Sequence, residues 1–379
     1  MPIGIIIMRW DDLVGNVIEN RYPQEINVTD QTLMHVYSTH EYSGDMGIIS
    51  LMVGSLNIAS YYTGPDKGIY ILLLMNLDED PDAYEGGLAD ASRTILQALE
   101  DDSVDKVLPD LYRRLAVYPT LNMEQQLAIT YQDEIKRKII NRLREEGVVS
   151  KSELMIWLKD KFKEGFVDID GVIIDLVKRE IIKEASVKGM LSELVFLIND
   201  IVMIRVPPLK LLTNPADRGL PEALVQDYKT ESKKFFTNYQ PTDEDNLSII
   251  EIFNDPQVYE TLRLLRTAIV TKNDLEKLKK KGVDEIDEVL KRLWGLQLVH
   301  VFRDEQNVEY YGLIGDFHID LMFPKYQFQV IKAEYEQKSK ANKVLIEYVK
   351  VLQDAYYTMR SAKKSAKKEK KSKISKTEA

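Results

Sequence analysis

Carboxylates are the side chains best placed to do chemistry in this chain, and they gather in two short stretches. One reads Asp168-Ile169-Asp170-Gly171-Val172-Ile173 and runs on to Asp175. The other reads Asp284-Glu285-Ile286-Asp287-Glu288-Val289-Leu290. Apolar residues fall between the acids at three- and four-residue spacing, so each stretch predicts a helix with an acidic first turn. Three uses fit such a helix. The dipole favours carboxylates at an N-terminus, whatever else they do. Exposed acids can form a docking surface for a basic partner. A helix of this kind can also enter a DNA groove, but carboxylates facing phosphates would cancel the counterion release that drives such binding. The dipole reading is the default and the docking reading comes second. The partner-binding candidates are Asp168, Asp170, Asp175, Asp284, Glu285, Asp287 and Glu288.

The opposite charge lies at the C-terminus. Lys363, Lys364, Lys367, Lys368, Lys370 and Lys371 form a tail suited to tethering the chain to an anionic membrane surface or a nucleic acid. Residues 360–379 hold 9 Lys/Arg against 2 Asp/Glu, whereas residues 1–120 hold 7 against 19. The net charge of −10 therefore averages an acidic body and a basic end.

Other chemistry is poorly supported. Asp78-Glu79-Asp80-Pro81-Asp82 lacks the glycine and terminal glutamate of a calcium loop and reads as a helix cap. Asp11-Asp12 reads as hairpin-turn chemistry. The histidines, His35, His40, His300 and His318, show no zinc spacing. There is no phosphate-binding glycine loop and no nucleophile elbow. The expectation is a protein with no catalytic residues, no cofactor and no metal, and so not an enzyme. The absence of cysteine excludes disulfides and fits a reducing, cytoplasmic setting, peripheral to a membrane if the tail meets lipid. No apolar run reaches the roughly 18 residues of a membrane span. Met1 to Trp10 is too short and lacks the basic start of a signal peptide, and reads as a strand.

Both acidic helices belong to a repeat. Val148-Val149-Ser150-Lys151-Ser152-Glu153-Leu154 returns as Ile269-Val270-Thr271-Lys272-Asn273-Asp274-Leu275, and each copy precedes its acidic stretch. Capping boxes begin at Ser150 and Thr271. In the first copy Leu154, Trp157 and Leu158 share a helix face, and Val172, Ile173, Leu176 and Val177 point inward from the next helix. A two-stranded wing follows each: Ile181–Val187 with Leu194–Val206, and Leu296–Arg303 with Val308–Ile314.

Ahead of the repeat, strands are expected at residues 3–10 and 16–19, a helix capped by Thr29 to Ser43, and strands at Gly47–Val53, Leu56–Tyr62 and Gly68–Leu77. Helices follow from Asp80-Pro81 to Glu100 and over Ser103–Val117. Such a sheet buries one face against its helices. One long helix is expected from Met123 to Glu146, closed by Gly147, and another inside the connector from Pro221 to Phe236. After Pro324 an apolar stripe (Phe328, Ile331, Tyr335, Val344, Leu345, Tyr348, Leu352, Tyr356) predicts a helical arm broken near Lys338–Asn342. That arm either packs on a module or forms a homodimer seam.

The order ββα, βββ, αα, with Asp12 to Gly15 in the first hairpin and Arg21-Tyr22-Pro23 after it, resembles the longin domain of the longin/roadblock superfamily. The chain starts with a strand, whereas roadblock domains usually start with a helix. The two repeats resemble winged-helix modules, the second similar to ArsR-type regulators. The expected architecture is α+β: a longin-like domain (1–120), a first winged helix (121–208), a connector with a helix (209–245), a second winged helix (246–322), a C-terminal helical arm (323–360) and a disordered Lys-rich tail (361–379). The longin resemblance implies partner binding to small GTPases, coats or tethering factors, through the sheet edge and first helix, here Thr29–Ser43 and Gly47–Tyr62. It makes the chain a non-enzymatic adaptor, in small-GTPase regulation or membrane-associated assembly. The alternative is a winged-helix transcription regulator contacting DNA through helix 284–294, the wing at 303–307 and the tail.

Overall fold

The structure is a computed structural model that describes residues 1–377 except 12, 45, 66 and 163–168, with side chains described as far as residue 361. Asp12 and Asp168 therefore lie outside the described residues. Helices and antiparallel sheets share the chain, the α+β composition expected. It divides into two units: residues 1–132 with 203–319, and residues 133–202 with 320–379.

The first unit opens with β1 (Gly4–Asp11), β2 (Gly15–Tyr22), α1 (Asp30–Ser43), β3 (Gly47–Val53), β4 (Leu56–Tyr62), β5 (Ile69–Asn76), α2 (Glu85–Glu100) and α3 (Val104–Val117). The five strands form one antiparallel sheet, in the order β2-β1-β5-β4-β3. Strand side chains alternate between faces. Ile6, Met8, Tyr70, Leu72 and Leu74 pack with Leu33 and Val36 of α1. Ile5, Ile7, Ile71 and Leu73 point the other way and are equally buried, on the side that meets α2 and α3. The sheet is thus covered on both faces rather than one. That is why the central strands read as unbroken apolar runs instead of alternating ones. Thr29 caps α1 by accepting from the Thr32 amide at 3.2 Å, and left-handed Gly44 ends it. The Asp80-Pro81 start forms first a 3₁₀ turn, Pro81–Tyr84, with Asp80 accepting from the Asp82 amide.

The helix expected from Met123 to Glu146 is two helices, α4 (Met123–Gln132) and α5 (Glu134–Glu146). Asp133 divides them, because its carboxylate caps α5, accepting from the amides of Ile135 (2.9 Å) and Lys136 (3.1 Å). The division between the two units falls at the same point.

Both repeats build one topology. The first comprises β6 (Val148–Ser150), α6 (Lys151–Lys161), α7 (Ile169–Lys178), β7 (Ile182–Ala185) and β8 (Leu194–Leu197), with sheet order β6-β8-β7. Next come β9 (Asp200–Val206), α8 (Leu209–Thr213), α9 (Val225–Asn238), α10 (Asp243–Phe253) and α11 (Pro256–Leu265). The second repeat comprises β10 (Val270–Thr271), α12 (Lys272–Glu276), α13 (Ile286–Gly295), β11 (Val299–Arg303) and β12 (Glu309–Leu313), with sheet order β10-β12-β11. The capping box at Thr271 is complete, with Asp274 reaching back to the Thr271 amide. The one at Ser150 is half formed: Ser150 accepts from the Glu153 amide, but the Glu153 carboxylate pairs with Arg142. Trp157 is half-buried beneath that arginine, whereas Leu154 and Leu158 are fully buried.

The run Leu194–Val206 is also two strands. Asn199 interrupts it, its side chain donating to the Glu180 carbonyl at 2.7 Å, and β9 leaves to pair with β13 (Asp316–Met322). The C-terminal arm is α14 (Gln327–Gln337) and α15 (Asn342–Thr377), separated by left-handed Lys338. It packs on the first repeat, far from it in sequence. Val344, Tyr348, Val351 and Leu352 close over Val148, Leu194 and Phe196. The Tyr348 hydroxyl donates to the Leu197 carbonyl at 3.0 Å. Gln327 donates to the carbonyls of Leu143 (3.1 Å) and Arg144 (2.9 Å), satisfying the end of α5. Gly147 stands where these meet: its φ is +72°, and a Cβ there would lie 2.6 Å from Tyr348 Cε1. The segment expected as a disordered tail continues the α15 helix to Thr377. Lysine and alanine are good helix formers, and extending a helix already anchored by packing avoids the cost of nucleation.

Candidate functional site

The acidic helices carry an electrostatic repeat that the sequence comparison did not expose. Lys151 occupies the same repeat position as Lys272, and Asp170 the same position as Asp287. In the first repeat Lys151 pairs with Asp170 at 3.0 Å, and in the second Lys272 pairs with Asp287 at 2.7 Å. Each lysine sits at the start of the first helix and ties it to the first turn of the next. Lys151 also reaches Glu184 at 3.0 Å. Partial burial works against its charge, yet the two carboxylates outweigh that and raise its pKa. Lys272 is raised chiefly by its bond to Asp287.

The remaining acids divide sharply. Asp175 is turned inward, its side chain 16% exposed, against Lys136, which is fully buried at 2.6 Å. Arg179 adds a second cation at 3.0 Å. Burial opposes the charge on Asp175, but Lys136 and Arg179 prevail and hold its pKa down. Its carboxylate serves the interior, which removes it from the docking candidates. A helix period alone could not place it there, because burial of the neighbouring Lys136 is a property of the packed helices.

Asp284, Glu285, Asp287 and Glu288 line a polar cleft of about 490 Å³ with Lys272, Glu276 and Lys279. All four acids are exposed. The amides of Asp284 (2.9 Å) and Glu285 (3.3 Å) donate to the Gln257 side chain, so the start of α13 is capped from α11. Among the candidates on described residues, this set and Asp170 face solvent. The lysines from Lys363 to Lys371 lie on the helical backbone of α15, and their side chains are outside the described residues.

A second surface lies on the sheet. β3 is an edge strand, and no residue from Gly47 to Val53 is charged. Charged side chains are a common guard against pairing at such an edge. The opposite edge, β2, carries Glu19 and Arg21. Beside β3, α1 exposes Met34 (43%) and Tyr42 (95%), about two turns apart, and β3 itself exposes Met52 (69%).

Sequence reasoning also missed a charged cluster in the first unit. Arg266 pairs with Glu124 at 2.7 Å and Asp316 at 2.8 Å, and His318 approaches both acids at 3.7 and 3.4 Å. Burial raises the Glu124 pKa, but bonds from His318, Arg266 and Tyr259 bring it to about 2. His318 is raised, chiefly by Glu124. A carboxylate held that low is a poor base at neutral pH, so the cluster acts as a tie between α4, α11 and β13. No local motif announces it, since Glu124 and Asp316 are far apart in the chain.

Among the described residues no helix is long and apolar enough to cross a membrane. No protein-family model matches the chain, and no curated protein matches its sequence.

Proposed function

We propose that this chain is a non-enzymatic adaptor that docks protein partners, of the small-GTPase or assembly-factor class that the longin resemblance implies. The observation that carries the reading is the uncharged open edge of β3 beside the exposed face of α1. An extended partner segment gains main-chain hydrogen bonds along such an edge, and Met34, Tyr42 and Met52 supply apolar contacts next to it. In this reading residues 1–120 are a longin-like domain, supported by the order ββαβββαα, and the two repeats are tandem winged helices, supported by their common sheet order. Asp170 in one unit and, separately, the acids at the start of α13 in the other each offer contacts to a basic partner, and the Lys-rich end of α15 a tether to an anionic membrane or nucleic acid. DNA readout by α13 fares worse, because four exposed carboxylates, Asp284 and Glu285 just before the helix and Asp287 and Glu288 in its first turn, stand where phosphates would lie.

The test is affinity capture from native lysate with nuclease, comparing the full chain with Ser50→Lys/Met52→Lys. Both positions are exposed, so the fold is expected to persist, as circular dichroism would verify. Nuclease-resistant partners that the double variant loses are the expected result. Capture unchanged by the substitutions, or recovery of nucleic acid alone, overturns the reading.

A further inference from the structure

The second unit holds an apolar cleft of about 770 Å³ that none of the surfaces above uses. Its floor is Leu321 and Met322 from the end of β13, Phe323, and Tyr356 and Met359 from α15. Phe323 and Tyr356 brace one another edge to face at 5.3 Å. The Tyr326 hydroxyl is committed to Asp200 at 2.7 Å, and the Asp320 carboxylate accepts from the Leu321 amide at 2.8 Å. Two exposed cations, Lys325 and Arg360, stand at the cleft, and neither has a carboxylate partner among the described residues. Apolar exposure continues past the rim at Phe328 (46%) and Tyr357 (57%).

We propose that this cleft seats an acidic amphipathic helix of a protein partner. An apolar floor, two methionines able to adapt their shape, and two cations unpaired among the described residues, against the single carboxylate of Asp320, are complementary to such a helix: apolar residues at i, i+3, i+4 and i+7, flanked by carboxylates. The inference rests on the adaptor reading only in taking the occupant to be a protein. It concerns a different unit from the β3 edge, and its experiment leaves that edge intact.

The probes are two blocked synthetic peptides with leucine at i, i+3, i+4 and i+7, one with glutamate at the flanking positions and one with lysine. The readout is the methyl spectrum of the full chain labelled at its 12 methionines, with Met322 and Met359 assigned by Met→Leu substitution. The glutamate peptide is expected to shift both methyls saturably, and Lys325→Glu/Arg360→Glu to weaken it about tenfold, the scale of two lost rim charges. The charge-reversed protein should instead take up the lysine peptide. Attraction to the Lys-rich end of α15 alone is expected to leave the Met322 methyl, on β13, in place and to be unaffected by Lys325→Glu. The proposal is overturned if neither peptide shifts them, or if both bind equally well. It is also overturned if the methyls shift with protein concentration alone, which would make a second copy of the chain the occupant, or if dodecanoate saturates them where the peptide does not.

Discussion

Two histidines in the first unit should titrate in opposite directions, and His40 carries the larger consequence. It is fully buried, with Nε2 at 3.0 Å from the Ser60 hydroxyl and the rings of Tyr62 and Tyr70 within 5.5 Å. Its Nδ1 is buried without a hydrogen-bond partner. Burial lowers its pKa to about 4, only partly offset by the bond at Ser60. As pH falls below about 6.5, the unfolded chain takes up a proton on this imidazole and the folded chain does not. Stability is therefore whole above pH 6.5, declines as pH falls, and has lost its full share near pH 4. A displacement of about 2.5 units corresponds to roughly 3 kcal/mol, a large part of a domain's usual margin. With four histidines in the chain, ring-labelled NMR gives four resolvable titrations. The His40 signal should stay neutral until about pH 4 or until the domain unfolds. Urea unfolding from pH 7 to pH 4 should show the loss in the parent chain. His40→Gln, which keeps a hydrogen bond to Ser60 without a titrating ring, should show much less of it. A His40 signal titrating near 6.5, or equal acid sensitivity in the two proteins, would refute the reasoning.

Three further outcomes follow from the packing. His318, raised by Glu124, gives its stabilisation below pH 6.5 and loses it as pH rises through its elevated pKa, so its NMR midpoint should lie above the ordinary value and fall back in Glu124→Gln. Lys136→Met, which leaves Asp175 with a single cation, Arg179, in a largely buried site, should cost roughly 3 kcal/mol by thermal or urea unfolding. Gly147→Ala should destabilise by about 2 kcal/mol or more, measured the same way, because the left-handed backbone and the nearby Tyr348 and Gln327 side chains both oppose a Cβ.

Much of the fold was legible in the residues, because it depends on interactions between near neighbours. The periods of two and of three to four, Thr29 before α1, Asp255-Pro256 before α11 and the glycines at 44, 147 and 282 place elements by local hydrogen bonding and backbone conformation. The repeat was legible for the same reason, and its two copies share a sheet order. Local signals also misled where caps were read too coarsely: Asp133 looks like one more polar helix residue until its carboxylate is seen taking the α5 amides. What tertiary structure decided is pairing at long range. Composition shows acids at 170, 175 and 287 but not that Lys151 and Lys272 hold two of them while Lys136 draws the third inward. An apolar stripe states that α15 must be covered, not that the first repeat covers it. Helix and turn propensities act over a few residues, whereas burial and ion pairing depend on which distant surfaces meet, and only the folded chain brings those together.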